Sequence, residues 1–193
     1  MLPIILASSS PYRRQLLEKL HLPFSCSSPN IDESVNDGET PTTLVERLSI
    51  RKARVVSENN TQHLIIASDQ VACLGERILT KPGNHKNAVE QLISCSDQTV
   101  SFLTGLALLN SATGNLQYCT ESYAVKFRKL NIESIERYLD IEPAYDCAGS
   151  FKIEGLGIAL FEKLQGEDPN SIVGLPLIRL IDFLTNEGVD VLG

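Results

Sequence analysis

Two short apolar runs constrain this chain more than any other feature: PIILA at residues 3–7 and HLIIA at residues 63–67. Each is an unbroken hydrophobic stretch of strand length, bounded by polar residues, which is the pattern of a buried β-strand. The first run is followed by three serines and then by PYRRQLLEKL. Ser10 is placed to cap that segment and Pro11 suits the first helical position, with Leu16, Leu17 and Leu20 on the inner face. A second helix is predicted over about residues 43–57, where Leu44, Val45, Leu48, Val55 and Val56 recur at helical spacing. The second apolar run is predicted to end at Ser68-Asp69-Gln70.

Further along, VACL and RIL read as a short hairpin around Gly75, followed by Lys81-Pro82-Gly83 and a short helix at residues 87–93. Two longer strands, residues 99–109 and 116–127, flank the turn SATGN. A helix capped by Asn131 covers residues 132–139, residues 142–176 are irregular, and a last helix runs from Pro176 until Gly188 ends it. Helices alternate with strands, yet hairpins are present. The fold class is therefore α/β, with a mixed twisted sheet and flanking helices rather than an all-parallel sheet. No repeat or linker divides the 193 residues, so one domain is expected, with room for two lobes around a cleft.

Charge and cysteine usage narrow the function. A net charge of −7 and a pI near 5.0 disfavour a nucleic-acid partner, because neutralising a phosphate backbone takes a basic face. A small anionic ligand held by a few clustered cations stays open. No apolar stretch approaches the roughly 18 residues of a membrane span, and the N-terminal stretch lacks the basic region of a signal peptide. A cytoplasmic location is the expectation. The five cysteines and three histidines are scattered, so no CxxC or imidazole metal motif exists. Reduced cysteines packed as small hydrophobes are expected.

Several polar positions stand out. In SSSPYRR a strand leads into a helix N-terminus, where free N–H groups and the helix dipole favour an anion and Ser8 adds a hydroxyl. Arg13 and Arg14 sit in the first helical turn, where positive charge is unfavourable by about 0.3–1 kcal/mol. A bound phosphate would compensate, and a solvated pair of arginines is the simpler alternative. Lys52 lies at the edge of an apolar helix face, either covering core with its stem or presenting an ammonium to a ligand. Lys81, beside a Pro-Gly turn, is unremarkable by itself. Asp69 ends a buried strand, where functional groups of α/β sheets collect. With Asp32 and Glu33 in a polar loop, two carboxylates in a cationic setting would suit Mg²⁺ or Mn²⁺.

Taken together, LASSSPYRRQLL, NIDES, ERLSIRKA, IIASDQV, KPGNHKNAVEQL, TGLAL, EPAYDCAGSFKIEG and DPNSIVGLPL resemble the Maf family of nucleoside triphosphate pyrophosphatases, almost end to end. The resemblance implies an α/β fold with a mixed sheet and a deep cleft, similar to the inosine triphosphate pyrophosphatases. It implies hydrolysis of a nucleoside triphosphate to the monophosphate and diphosphate, with a divalent metal cation as cofactor. Asp69 matches the family's proton acceptor, and Ser8, Arg13, Lys52 and Lys81 match phosphate-holding positions. Glu33 matches an acidic position at the metal and catalytic centre. Thus Asp69, Glu33 and Lys81 form the catalytic set, and Glu33 and Asp69 the metal ligands.

Three departures from the commonest family pattern concern the base. Tyr12 stands where arginine is typical, Gln70 where threonine is, and Glu154 where glutamine is. This combination resembles the branch that acts on 7-methyl-GTP. An ionised Glu154 only accepts hydrogen bonds, so it suits the N1–H and N2–H of guanine and repels the O4 of a pyrimidine. Tyr12 could stack on the cationic N7-methylated ring, worth about 0.5–2 kcal/mol. The alternatives are dTTP, UTP or a modified pyrimidine as substrate, or a nucleotide-binding regulator of cell division. A small-molecule nucleotide is the expected ligand, and a homodimer is a family-level expectation.

Overall fold

The computed structural model describes residues 2–193. Its elements are β1 (Ile4–Leu6), α1 (Pro11–Glu18), β2 (Phe24–Cys26), α2 (Pro41–Ser57), β3 (Leu64–Leu74), β4 (Arg77–Leu79) and α3 (His85–Cys95). There follow β5 (Thr99–Asn110), β6 (Leu116–Phe127), α4 (Ile132–Ile141), β7 (Phe161–Gln165) and α5 (Leu177–Asn186). The strands form one seven-stranded mixed sheet in the order β2-β1-β3-β5-β6-β7, with β4 paired to β3. β1 is parallel to β2 and β3, whereas β3–β4 and β6–β7 are antiparallel. The mixed sheet follows the sequence expectation.

The chain forms two compact units, and β3, β5 and β6 contribute residues to both. The first comprises the residues up to Gln70, Thr104–Glu121 and Asp168–Gly193. Its sheet is covered on both faces. Ile4, Leu6, Leu64, Ile66, Leu106 and Leu108 pack with Leu16, Leu17, Leu180 and Leu184 of α1 and α5. The alternate residues Ile5, Ala7, Ile65, Ala67, Ala107 and Leu109 pack with Ala53 and Val56 of α2. Successive strand residues point to opposite faces, so a sheet with two cores needs unbroken apolar runs. That is why PIILA and HLIIA are continuous rather than alternating. α5 ends where Gly188 takes φ +75° and the N–H groups of Gly188 and Val189 reach back to the carbonyls of Thr185 and Leu184.

The second unit comprises Val71–Leu103 and Ser122–Glu167. Its core is built on Phe102, Phe127, Phe151 and Phe161, whose rings meet edge-to-face at centroid distances of 4.8–5.6 Å.

Four expectations need correction. β3 does not stop at Ser68-Asp69-Gln70 but runs through them to Leu74, because each polar side chain finds a buried partner. β2 and β7 are strands that the sequence pattern did not indicate; both are short and carry exposed residues. α2 begins at Pro41, behind a Thr40 cap whose hydroxyl accepts from the Thr43 N–H at 3.2 Å. Cys73 and Cys95 are buried as small hydrophobes, but Cys26 is exposed on β2. Among the described residues no helix is long and apolar enough to cross a membrane.

Candidate active site

Lys52 sits inside the buried stripe of α2, between Ser49 and Ala53 on one side and Val56 on the other. The helix lies close against β5: a Cβ on Gly105 would meet Ser49 Oγ at 2.6 Å and the Val45 carbonyl at 2.7 Å. Only glycine permits this approach. Lys52 is 5% exposed and its ammonium donates to Asp69 Oδ1 at 2.5 Å. The same nitrogen is 2.7 Å from Glu33 Oε1. An ammonium has three N–H donors, so one remains after these two contacts. The buried lysine is therefore a paired charge rather than a snorkelling one.

The loop that carries Glu33 is fastened to α2 by arginines one turn apart. Arg47 Nη2 donates to the Ser34 carbonyl at 2.8 Å, and Arg51 Nη1 to the Asp32 carbonyl at 3.4 Å. Arg47 is itself held by both oxygens of Glu39, at 2.6 and 2.7 Å. That guanidinium fork holds the Glu39 carboxyl down at about 2. Asp32 closes the loop on itself by accepting from the Ser34 N–H and hydroxyl, which lowers its pKa. Arg47 and Arg51 were not singled out by sequence. Their i, i+4 spacing was visible, but their target loop was not.

Ser8 lies two residues past the Leu6–Ile66 register pair on β1, and Ser68 takes the same step on β3. Ser8 is buried, and its Oγ accepts from the Ser10 N–H at 3.1 Å. Ser10 caps α1 by accepting from the Arg13 N–H. Arg13 then turns back towards the sheet, where its Nε donates to the Gly174 carbonyl at 2.9 Å. Burial lowers the Arg13 pKa, and the charges of Asp69 and Glu33 oppose that shift. The guanidinium thus shares one electrostatic environment with the two carboxylates. The structure brings Glu33, Lys52 and Asp69 together, with Arg13 in electrostatic reach of both carboxylates, while Ser8 follows β1 as Ser68 follows Ile66 on β3.

Gln70 is half-buried and points into the first unit's own interior. Its Nε2, with two N–H groups, lies within hydrogen-bond distance of the carbonyls of Ser171 (2.8 Å) and Ile172 (3.1 Å) and of Thr104 Oγ1 (2.9 Å). A base contact through that nitrogen would require giving up buried bonds. Tyr12, in the first turn of α1, is 37% exposed. In the second unit, Lys81 is exposed in the extended segment after β4. Glu154 is exposed in a turn that Glu142 holds, its Oε2 accepting from the Gly157 N–H at 3.2 Å.

The Maf-like protein family model matches residues 3–187. The chain belongs to the Maf family. Among curated Maf relatives, a Pseudomonas putida protein named 7-methyl-GTP pyrophosphatase is 57% identical over 191 residues, 99% of this chain and all of that one. Proteins of the same name from Alcanivorax borkumensis and Pseudomonas aeruginosa are 54% and 53% identical over 188 residues. Each alignment covers 97% of this chain, with 95% and 98% of the respective relatives. Among solved structures, the Staphylococcus aureus Ham1 protein is similar with a TM-score of 0.57, covering 96% of this chain and 99% of that one. At 13% identity that likeness concerns the fold alone.

Proposed function

We propose that this Maf protein hydrolyses 7-methyl-GTP to 7-methyl-GMP and diphosphate, clearing a modified nucleotide from the cytoplasmic pool. The observation that carries the substrate is the run of relatives bearing that name at 53–57% identity over nearly the whole chain. Joined to it is a buried Lys52–Asp69 pair with Glu33 and Arg13 around it.

The donor set fits a divalent cation. Glu33 and Asp69 bring hard carboxylate oxygens to the Lys52 ammonium, at 2.7 and 2.5 Å, and each carboxylate has a second oxygen with which it could hold the ion while keeping the lysine. Among the described residues no cluster of three or more His, Cys, Asp or Glu forms a self-sufficient metal cage. Magnesium and manganese are commonly bound through one or two carboxylates plus substrate phosphates and water, and that is the arrangement proposed here. When bound, the ion supplies positive charge to the phosphates and acidifies a water. Arg13, Lys52, Glu33 and Asp69 sum to zero charge, so the added ion is what makes the site attractive to a polyphosphate.

The chain's own residues divide the remaining work. With Nε tied to Gly174, Arg13 offers its two Nη groups to phosphate oxygens. Lys52 offers its third N–H, and Ser8 its hydroxyl. Asp69 takes the proton of the water that attacks the α-phosphorus, and the bond from that phosphorus to the bridging oxygen breaks, releasing diphosphate. Lys81 matches the family's phosphate-holding lysine. The Glu154 carboxylate has the acceptors for guanine N1–H and N2–H and the charge that suits an N7-methylated base, and the Tyr12 ring has the face for stacking on such a cation.

The test is diphosphate release from a panel of 7-methyl-GTP, GTP, UTP and dTTP with Mg²⁺ or Mn²⁺. The highest kcat/KM is expected on 7-methyl-GTP, with turnover lost in EDTA and restored by either metal. Equal or better hydrolysis of UTP overturns the substrate assignment. Binding without turnover would make the protein a nucleotide-binding regulator instead.

A further inference from the structure

We infer that Ser68 and Gln70, the two neighbours of Asp69 on β3, are positioning residues that set the aim of Arg13 through the main chain of residues 171–174. The inference rests on the phosphate-binding role proposed for Arg13. Alternate residues of β3 point to opposite faces, so Asp69 meets Lys52 of α2 on one side while Ser68 and Gln70 share the other.

On that other side lies the DPNSIVG segment. Ser68 is fully buried, and its hydroxyl donates to the Gly174 carbonyl at 2.8 Å. Arg13 Nε donates to the same oxygen at 2.9 Å. A carbonyl has two lone pairs, so these donors saturate it and fix its direction. Gly174 adopts φ +118°, and a Cβ there would stand 3.3 Å from Arg13 Nε. The sequence therefore keeps glycine where main chain and guanidinium touch. Upstream, Gln70 Nε2 and Thr104 Oγ1 both grip the Ser171 carbonyl, each at 2.8 Å. Asp168, 1% exposed, ties the segment to α5 by accepting from the Ile178 N–H at 2.8 Å.

The segment is thus tied to β3, β5, α1 and α5, and its last carbonyl is what Arg13 leans on. A shift at Ser68 or Gln70 is passed to Gly174 and so to the guanidinium. Gln70 in this account touches neither base nor phosphate. It governs how firmly the triphosphate is held, and leaves the choice of base to other residues.

The test compares Ser68→Ala, Gln70→Leu and Arg13→Lys, singly and combined, on 7-methyl-GTP and GTP. Calorimetric binding of inorganic tripolyphosphate and the NMR signal of Arg13 Nε–H are followed alongside. Ser68→Ala and Gln70→Leu are each expected to raise KM about three- to tenfold, by the same factor on both nucleotides, and to weaken tripolyphosphate in parallel. Adding either to Arg13→Lys, which lacks the Nε donor, costs less than about twofold more. The Arg13 Nε–H signal loses its protection from solvent exchange in Ser68→Ala. Full additivity with Arg13→Lys, an unmoved Nε–H signal, or a changed 7-methyl-GTP to GTP ratio would each overturn the inference, the last by returning Gln70 to the base. If the wild type hydrolyses no nucleotide, the activity proposal fails on its own. Tripolyphosphate binding and the Nε–H signal then decide the positioning role. Ser68→Ala, the milder change, keeps the question answerable should Gln70→Leu not fold.

Discussion

Replacing Lys52 by methionine keeps an unbranched apolar stem at this buried position of α2 and deletes the charge together with its three N–H donors. The ammonium and the Asp69 carboxylate are 6% and 9% exposed at 2.5 Å. Removing one partner of a buried pair leaves the other uncompensated, at about 3–5 kcal/mol. Glu33 is 57% exposed, so losing that contact adds no more than about 1 kcal/mol. Taking about 3 kcal/mol as the net, a chain of this length should lose roughly 6–12 °C in Tm. The assay is urea and thermal unfolding at pH 7 of wild type, Lys52→Met, Asp69→Asn and the double variant. Because Asn carries no charge, the double variant should regain about half or more of what Lys52→Met loses. A Lys52→Met protein within about 1 kcal/mol of wild type, or a double variant less stable than either single one, would refute the buried-pair reasoning.

Three further outcomes follow from other parts of the molecule. The Glu39 carboxyl, held at about 2 by Arg47 against an ordinary 4.5, contributes stability that is complete above about pH 4.5 and lost as pH falls through about 2. Arg47→Ala should flatten the acid-unfolding slope in that window, and an unchanged slope would count against the fork. Gly174→Ala should cost about 1–3 kcal/mol in urea unfolding, because alanine is strained at φ +118°; an unchanged midpoint would contradict the strain argument. Glu154→Gln should move preference from 7-methyl-GTP towards UTP, since an amide can donate to O4; an unaltered preference would remove Glu154 from base recognition.

Much of the first unit was legible because its cores demand it. There the continuous runs at residues 3–7 and 63–67, the Ser10 cap and the Gly188 stop are local signals, as is the Asn131 cap in the second unit, and the elements start or stop where those signals put them. The reading of Ser68-Asp69-Gln70 as a strand end failed for a physical reason. Their partners are Gly174, Lys52 and Ser171, which lie 106, 17 and 101 positions away, and no local pattern announces them. The same holds for Arg47 and Arg51, whose spacing is visible on α2 but whose work is to hold the loop carrying Glu33. Lys52 is an oddity on an apolar face in the sequence, and the structure supplies its reason: two carboxylates within 2.7 Å. β7 escaped notice because FEKLQ is an edge strand of mixed polarity with little to distinguish it from loop.

The most direct test of the whole account is to measure turnover and nucleotide affinity side by side in wild type and Asp69→Asn, with 7-methyl-GTP and Mg²⁺. With Asp69 proposed as the proton acceptor, the variant should lower kcat by about 10²–10⁴-fold while the dissociation constant changes far less, because Arg13, Lys52 and Ser8 are the groups proposed to hold the phosphates. An Asp69→Asn protein that releases diphosphate at the wild-type rate would contradict it.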